Sequence, residues 1–323
     1  MDLKKIADET KAELPKVIQQ LPGFQALESS VHDLDDLDSL EPSCCPGFEL
    51  PTGDVDAGKK GTRIKVFDTD TFDAAINLDL NYTAAKHLGA SFSSTAGPSS
   101  QAQDRDQTMQ DASQTTADRA HKPVAVLNLA SERSAGGGWQ NGALAQEEAL
   151  CYRSSLYLSL HKSYYPLPSL SAIYSPSVLI IRDAMSRNHT LLSPPEQPGN
   201  LPVTSVISVA ALRHPALTAD GKKYKNEGQR AETKRKIRLT LRLAALKGHT
   251  KLVLGALGCG VFGNPPKEVA ECFLEVMREK EFLGGWWEEI VFAIMDNVKG
   301  PNGGKTGVGN YGQFYQVLDG QVV

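Results

Sequence analysis

Two adjacent carboxylates follow a run of glycines, and these are the residues of the sequence best suited to chemistry. Glu147 and Glu148 come directly after Gln146, and seven residues separate that glutamine from three glycines at 136–138. A glycine run lets the backbone approach a ligand with no Cβ in the way. Two carboxylates beside such a loop suit acid/base catalysis or the recognition of sugar hydroxyls. A flexible turn followed by two solvated glutamates would give the same residue types.

A second glycine-rich turn follows a strand predicted at residues 251–257. Gly255, Gly258 and Gly260 would present backbone N–H groups and a helix N-terminus to an anion, so a phosphate would fit there. A plain tight turn is the alternative. Ligands of α/β sheets bind at the carboxyl ends of the strands, and we interpret the two loops as the walls of a diphosphate cleft. Phe262 would then pack either on a ribose or in the core.

Strands and helices alternate along the chain, which implies an α/β sandwich around one sheet. Such a sheet would bring the ends of several strands, and the loops that follow them, to one edge. Apolar runs predict strands at 63–68, 124–129, 178–182, 204–209, 251–257 and 289–295, and helical spacing predicts helices at 71–88, 144–160, 230–247, 266–281 and 310–318.

Two segments fall outside this alternation. Residues 1–62 are predicted to form an N-terminal extension, with a short helix at 2–21 that Pro15 interrupts and a mostly irregular remainder. Residues 91–121 are rich in Ser, Gln, Thr and Asp and predict a mobile insertion. The main domain would therefore span residues 63–323.

Composition limits the class of protein. The chain has 323 residues, 41% of them hydrophobic and 22% charged, as in a soluble globular protein. A formal charge of −4 argues against bulk, sequence-independent binding of nucleic acid. Neither a membrane-spanning apolar run nor a signal peptide is expected. The five cysteines show no CxxC spacing, which predicts reduced thiols in an intracellular protein, nuclear or cytoplasmic.

The glycine run, the spacer of seven residues and the Gln-Glu-Glu triplet resemble the signature of the microbial-type poly(ADP-ribose) glycohydrolases. The residues before the run, at 126–131, also look like the strand and loop of that family. The resemblance implies a macrodomain-like three-layer α/β/α sandwich with a central mixed sheet. It continues along the chain in the family's order, at residues 69–75, 174–176, 255–265, 291–294 and 310–314.

The resemblance implies hydrolysis of the ribose–ribose O-glycosidic bonds of poly(ADP-ribose), with release of ADP-ribose. By the family pattern, Glu148 is the general acid and then the base that activates water, and Glu147 holds ribose hydroxyls. No metal or other cofactor is implied. The substrate-binding residues carried over from the two loops and their surroundings are Asn128, Gly136, Gly137, Gly138, Gln146, Gly258, Cys259, Gly260, Val261 and Phe262.

The expected partners are poly(ADP-ribosyl)ated proteins and the product ADP-ribose, with a role in reversing ADP-ribosylation during the DNA damage response. Neither membrane binding nor sequence-specific nucleic-acid binding is expected. Two alternatives stay open: an ADP-ribose-binding macrodomain without hydrolysis, and a hydrolase of mono-ADP-ribosylated protein. The helix N-terminus would lower the pKa of the carboxylates, whereas burial and the neighbouring charge would raise it, and a general acid needs its proton.

Two further stretches invite a functional interpretation. Basic residues are frequent at 222–238, where a solvated helix face is the default and contact with a polyanionic polymer is the alternative. Residues 300–306, Gly-Pro-Asn-Gly-Gly-Lys-Thr, look like a nucleotide P-loop, but the spacing is one residue short and no apolar helix follows. We therefore reject a P-loop.

Overall fold

The computed structural model describes residues 2–95, 121–192 and 197–323. Asp2 caps the first helix, α1 (Leu3–Gln19), and its side chain accepts hydrogen bonds from the N–H groups of Lys4 and Lys5. Pro15 lies inside α1, so the predicted interruption is wrong. Leu14 and Val17 are buried on either side of the proline, and this packing outweighs the hydrogen bond that proline cannot donate.

Within the described residues, seven strands form one mixed sheet, as predicted. The two pairs that include β4 are antiparallel, and the other four pairs are parallel. In chain order the strands are β1 (Ser30–Asp33), β2 (Ile64–Phe67), β3 (Ala125–Ala130), β4 (Ser171–Leu179), β5 (Val203–Ala210), β6 (Lys251–Leu254) and β7 (Glu289–Ala293), and across the sheet they lie in the order β1-β4-β5-β3-β6-β7-β2.

Two of these strands differ from the sequence prediction. No strand was predicted at β1, which forms one edge of the sheet and brings part of residues 1–62 into it. The strand predicted at 178–182 begins at Ser171 and passes through Pro176. A register shift between Ser175 and Val178 accommodates the missing N–H group of the proline.

Two predicted helices are each divided in the structure. Residues 71–88 form two helices instead of one, because Thr83 pairs with Pro202 and turns the chain between them. Residues 144–160 divide where Ser154 pairs with Ile180. After α1, the helices in chain order are α2 (Thr71–Leu78), α3 (Ala84–Thr95), α4 (Gln146–Arg153), α5 (Leu156–Ser159), α6 (Glu227–Leu246), α7 (Pro266–Met277) and α8 (Asn310–Leu318).

Helices cover both faces of the sheet, which gives the three-layer arrangement predicted. Alternate residues of each strand point to opposite faces. Leu127 and Leu254 pack with α6, α7 and α8 in one core, while Val126 and Val253 pack with α1, α2 and α4 in the other. The carboxyl ends of the parallel strands therefore open between two layers of helices.

The N-terminal extension at 1–62 and the insertion predicted at 91–121 differ in how much of them the structure describes. The N-terminal helix packs on the same core as α4, where Thr10 Oγ1 donates to the carbonyl of Tyr152 at 2.8 Å. The predicted insertion at 91–121 begins inside α3, which continues to Thr95, and its residues 96–120 lie outside the described part of the chain. Across the described ranges, none of the helices combines the length and the apolar character that crossing a membrane requires.

Candidate active site

The cleft begins where β3 and β6 part. Their pairing covers only Ala125 and Val126 of β3, whereas the pairing of β3 with β5 continues to Ala130. Gln146 takes over beyond that point: its Oε1 accepts from the N–H of Leu129 and its Nε2 donates to the carbonyl of Leu127, both at 2.9 Å. This side chain satisfies the β3 backbone as a strand would, and it fixes the start of α4 at the end of β3.

Glu147 lies under the first loop with only 3% of its surface exposed. Its Oε1 accepts from Asn128 Nδ2 at 3.2 Å, and its Oε2 accepts from the N–H of Ser131 at 2.8 Å. Burial raises the pKa of Glu147 to about 8, and the charge of Glu148 adds to the rise, although the hydrogen bonds to the carboxylate oppose it. The protonated form of the Glu147 carboxyl is therefore favoured near neutral pH.

Asn128, on β3, holds Glu147 through a hydrogen bond. It is wholly buried on β3, and its Nδ2 also donates to Ser208 Oγ on β5 at 3.0 Å. Its Oδ1 is buried and has no hydrogen-bond partner. A buried acceptor without a partner is costly, so this oxygen is suited to receive a hydrogen bond from a ligand hydroxyl or a water molecule.

The glycine run packs directly on the carboxylate pair. The N–H of Gly138 donates to Glu148 Oε1 at 2.9 Å. Gly136 and Gly137 have φ angles of +70° and +58°, in the left-handed region that glycine favours. A Cβ at Gly137 would overlap Glu148 Oε1 and lie 3.2 Å from Glu147 Oε2. Glycine is thus required here by the carboxylates themselves as well as by any ligand.

The second loop connects β6 to α7 and is tied down by Asn264. This buried side chain donates from Nδ2 to the carbonyls of Gly258 and Leu212, and its Oδ1 accepts from the hydroxyl of Tyr224. Gly258 has a φ of +75°, and a Cβ there would overlap Asn264. Gly260 is exposed, and a Cβ there would meet nothing within 4 Å. The two glycines therefore have different roles: Gly258 closes the turn and Gly260 leaves space open.

A cleft of about 840 Å³ lies beside the second loop, at the carboxyl ends of the parallel strands. Five predicted substrate-binding residues line it: Gln146, Gly258, Gly260, Val261 and Phe262. The buried pair of Asn128 and Glu147 is not part of the lining, nor are Glu148, the three glycines of the first loop and Cys259. The cleft wall next to them consists of Leu129, Ala130 and Ala145.

Sequence reasoning missed an acidic part of the cleft wall. Asp68, Asp70 and Asp73 line the cleft after β2 and at the start of α2. The wholly buried guanidinium of Arg153 forms ion pairs with Asp70 and Asp73. Arg187, at the rim, donates to Asp73 Oδ2 at 2.8 Å. The position of these aspartates at the end of a predicted parallel strand was the signal that could have identified them.

The basic residues at 222–238 and the glycine-rich residues at 300–306 contribute little to this site. Most of the basic residues at 222–238 that lie on α6 form ion pairs, for example Arg230 with Glu268 and Arg238 with Glu279. The stretch at 300–306 has no helix directly after it, since α8 begins at Asn310. In the described ranges, no group of three or more His, Cys, Asp or Glu residues is arranged to hold a metal ion.

These features define an α/β protein with a ligand cleft at the carboxyl ends of its parallel strands and a pair of carboxylates behind the cleft wall. Residues 50–183, which include the first loop and α4, match the family described as microbial-type PARG, catalytic domain. Residues 50–183 are thus similar to the catalytic domain of the microbial-type poly(ADP-ribose) glycohydrolases, which confirms the resemblance found in the sequence.

Solved structures support the same assignment. The chain is similar to poly(ADP-ribose) glycohydrolase from Thermomonospora curvata bound to the inhibitor ADP-HPD, with 25% identity, a TM-score of 0.62, and 97% of this chain and 98% of that chain covered. It is also similar to poly(ADP-ribose) glycohydrolase from Deinococcus radiodurans in complex with ADP-ribose, with 27% identity, a TM-score of 0.60, and 92% of this chain and 98% of that chain covered. No curated protein sequence matches the chain.

Proposed function

We propose that the protein hydrolyses the ribose–ribose O-glycosidic bonds of poly(ADP-ribose) and releases ADP-ribose. The observation that carries this proposal is the carboxylate pair at the start of α4, packed against the glycine run beside the cleft. The relatives that match the chain over most of its length are named as glycohydrolases of this polymer, and one of them holds ADP-ribose.

Glu148 is assigned the proton transfers of the reaction. Glu148 acts from its protonated form: it gives its proton to the ribose oxygen that leaves, the bond from that oxygen to the anomeric carbon breaks, and an oxocarbenium-like centre forms. Water then attacks the anomeric carbon and gives its proton to Glu148. The N–H of Gly138 holds Glu148 Oε1 throughout, so the carboxyl group keeps its direction in both steps.

Glu147 is assigned the binding of ribose hydroxyls. Burial raises the pKa of Glu147 to about 8, and a protonated carboxyl can both donate and accept a hydrogen bond. Asn128 and the Ser131 N–H fix its two oxygens. Gln146, whose amide is bonded to the β3 backbone, supports the pair by holding α4 in place.

The two loops are assigned the diphosphate. Gly258 has a positive φ, which closes the turn, and a Cβ at Gly260 would meet no other atom. The backbone of the second loop can therefore approach phosphate oxygens. Phe262, half-buried on the cleft wall, is assigned to pack on the ribose next to the scissile bond. The glycine run of the first loop lies behind the opposite wall, which Leu129, Ala130 and Ala145 form.

The wider role follows from this activity as part of the same proposal. The macrodomain-like sandwich would act on poly(ADP-ribosyl)ated proteins inside the cell, in the nucleus or the cytoplasm, and reverse ADP-ribosylation during the DNA damage response. In the described ranges no disulfide joins any of the five cysteines, which suits a reducing compartment.

One experiment separates this function from its two rivals. The protein is incubated with labelled poly(ADP-ribose) and, separately, with mono-ADP-ribosylated protein, and ADP-ribose binding is measured by calorimetry. We expect release of ADP-ribose from the polymer and inhibition by free ADP-ribose, because the cleft must hold the product. Binding without release would indicate a binding module, and release only from the mono-modified protein would indicate the other hydrolase.

A further inference from the structure

Arg213 lies between the two loops and contacts both. Its Nε donates to Glu132 Oε1 at 2.6 Å and its Nη2 to Glu132 Oε2 at 3.1 Å, so the guanidinium and the carboxylate form a two-point ion pair. The same guanidinium lies over the ring of Phe262, with its carbon 4.2 Å from the ring centroid. Glu132 belongs to the first loop and Phe262 to the second.

Both ends of this contact are fixed by the backbone. Glu132 follows Ser131, whose N–H holds Glu147 Oε2, and its own carbonyl accepts from the N–H of Leu167 at 2.8 Å. The residue after Arg213, His214, donates its N–H to the carbonyl of Phe262 at 2.9 Å. A short chain of contacts therefore runs from the buried carboxylate of Glu147 to the ring of Phe262.

Phe262 needs such support. The residues on either side of it, Val261 and Gly263, are exposed, and Gly263 has a φ of +69°, so the ring is held by its contact with the core and with Arg213 rather than by its neighbours in the loop. Phe262 lines the cleft, whereas Arg213 and Glu132 do not. The guanidinium covers a face of the ring from outside the cleft, so Arg213 reaches the cleft wall through its contact with Phe262.

We infer that Arg213, held by Glu132, is a positioning residue that sets the orientation of the Phe262 ring against the ribose next to the scissile bond. The inference rests on the proposed function and adds to it a coupling between the two walls of the cleft. A cation over an aromatic face is attracted by the ring's quadrupole, and the two-point ion pair fixes where that cation lies. The ring is thus ordered before the substrate arrives.

The test is a double-mutant cycle of Arg213→Met and Phe262→Ala, with polymer turnover, ADP-ribose affinity and melting temperature measured on all four proteins. We expect Arg213→Met to lower kcat/KM roughly tenfold or more, by loss of ribose orientation. A fall in melting temperature is also expected, because this two-point ion pair is only 30% and 26% exposed, so turnover is compared at a temperature where all four proteins are folded. In the Phe262→Ala background the same substitution should have no further effect.

Two additional variants sharpen the result. Arg213→Lys keeps the cation and should recover part of the activity. Arg238→Met is the matched control: Arg238 forms a two-point ion pair with Glu279 at a similar exposure, 22% and 28%, and neither residue lines the cleft, so its loss should leave turnover unchanged. An unchanged kcat/KM in Arg213→Met, or the same loss with and without Phe262, would overturn the inference. If the proposed function fails, the wild-type protein releases no ADP-ribose from the polymer. The ADP-ribose affinities of the four proteins would then still measure the coupling between Arg213 and Phe262.

Discussion

Gly137 lies so close to Glu148 that a Cβ at the glycine would overlap Oε1 of the glutamate. The same Cβ would lie 3.2 Å from Oε2 of Glu147, closer than a side chain tolerates without displacement. The glycine run and the carboxylate pair therefore form one packed unit, and a ligand meets carboxylates whose positions depend on the absence of a side chain in the loop.

We expect Gly137→Ala to reduce turnover by moving the carboxylate of Glu148. Alanine at a φ of +58° is also strained, by about 1–2 kcal/mol. Gly142→Ala separates the two effects: Gly142 has a φ of +83°, but a Cβ there would meet only Lys4, with its backbone nitrogen at 3.5 Å, and Leu3. The two variants should melt at similarly lowered temperatures, while polymer cleavage falls only in Gly137→Ala. Equal activities would show that the glycine serves the turn alone.

Glu148→Gln should remove most polymer cleavage and keep ADP-ribose affinity nearly unchanged. The amide oxygen can still accept from the Gly138 N–H, but the side chain can no longer supply an acid proton, which is worth ~10²–10⁴-fold in rate. Glu227→Gln is the matched control, since Glu227 also lies in the first turn of a helix and its side chain is 83% exposed. Near wild-type turnover in Glu148→Gln would assign the acid to another group.

The carboxylate pair and the glycine run could be predicted from the sequence because they are close together in it. Arg153 shows where such reasoning stops. A charged residue on a short helix is expected to be exposed, yet Arg153 is wholly buried, and its partners Asp70 and Asp73 are 83 and 80 residues away. Only the packing of α2 against α4 brings these charges together, and no local pattern encodes it.

Local patterns also failed where tertiary contacts decide a boundary. Helical spacing continues through residues 79–83, but the pairing of Thr83 with Pro202 ends α2 and starts α3. The edge strand β1 has only four residues, Ser-Val-His-Asp, and pairs on one side alone. Its burial alternates between half-buried and exposed, so it offers no apolar run by which the sequence could reveal a strand.

Gly260→Val should weaken ADP-ribose binding without changing the melting temperature. A side chain at Gly260 has open space in the empty protein, so it would collide only with a diphosphate in the cleft. Each charge-assisted hydrogen bond lost is worth about 1.5–3 kcal/mol, or roughly tenfold and more in affinity. Gly53→Val is the control, because a Cβ there also meets nothing and Gly53 does not line the cleft. Undiminished ADP-ribose affinity in Gly260→Val would place the diphosphate elsewhere.

Gly258→Val should behave differently from Gly260→Val. A Cβ at Gly258 would overlap Asn264 and lie 2.5 Å from the Cβ of Ala211, and the φ of +75° disfavours a branched residue. Asn264 holds the second loop to the end of β5. We therefore expect a clear drop in melting temperature together with weaker binding, measured on the same protein as Gly260→Val. A wild-type melting temperature would show that the loop adjusts without cost.

The raised pKa of Glu147 predicts how stability depends on pH. The folded protein holds the proton up to about pH 8, whereas the unfolded chain releases it near the ordinary value of 4.5. The folded state binds more protons between these values, so the stabilisation present below pH 4.5 declines as the pH rises and is lost above about pH 8. Each pKa unit corresponds to about 1.36 kcal/mol, so the effect amounts to a few kcal/mol.

Glu147→Gln isolates this contribution, because the amide keeps the shape of the side chain and does not ionise. We expect the free energy of unfolding of Glu147→Gln, relative to the wild type, to rise steadily between pH 5 and pH 8. Denaturant unfolding at several pH values measures it, and the other titrating groups cancel because both proteins contain them. Glu227→Gln, with a side chain 83% exposed, is the control for a glutamate that folding does not bury. If the difference between Glu147→Gln and the wild type stays constant across this range, Glu147 does not hold its proton in the folded protein at neutral pH.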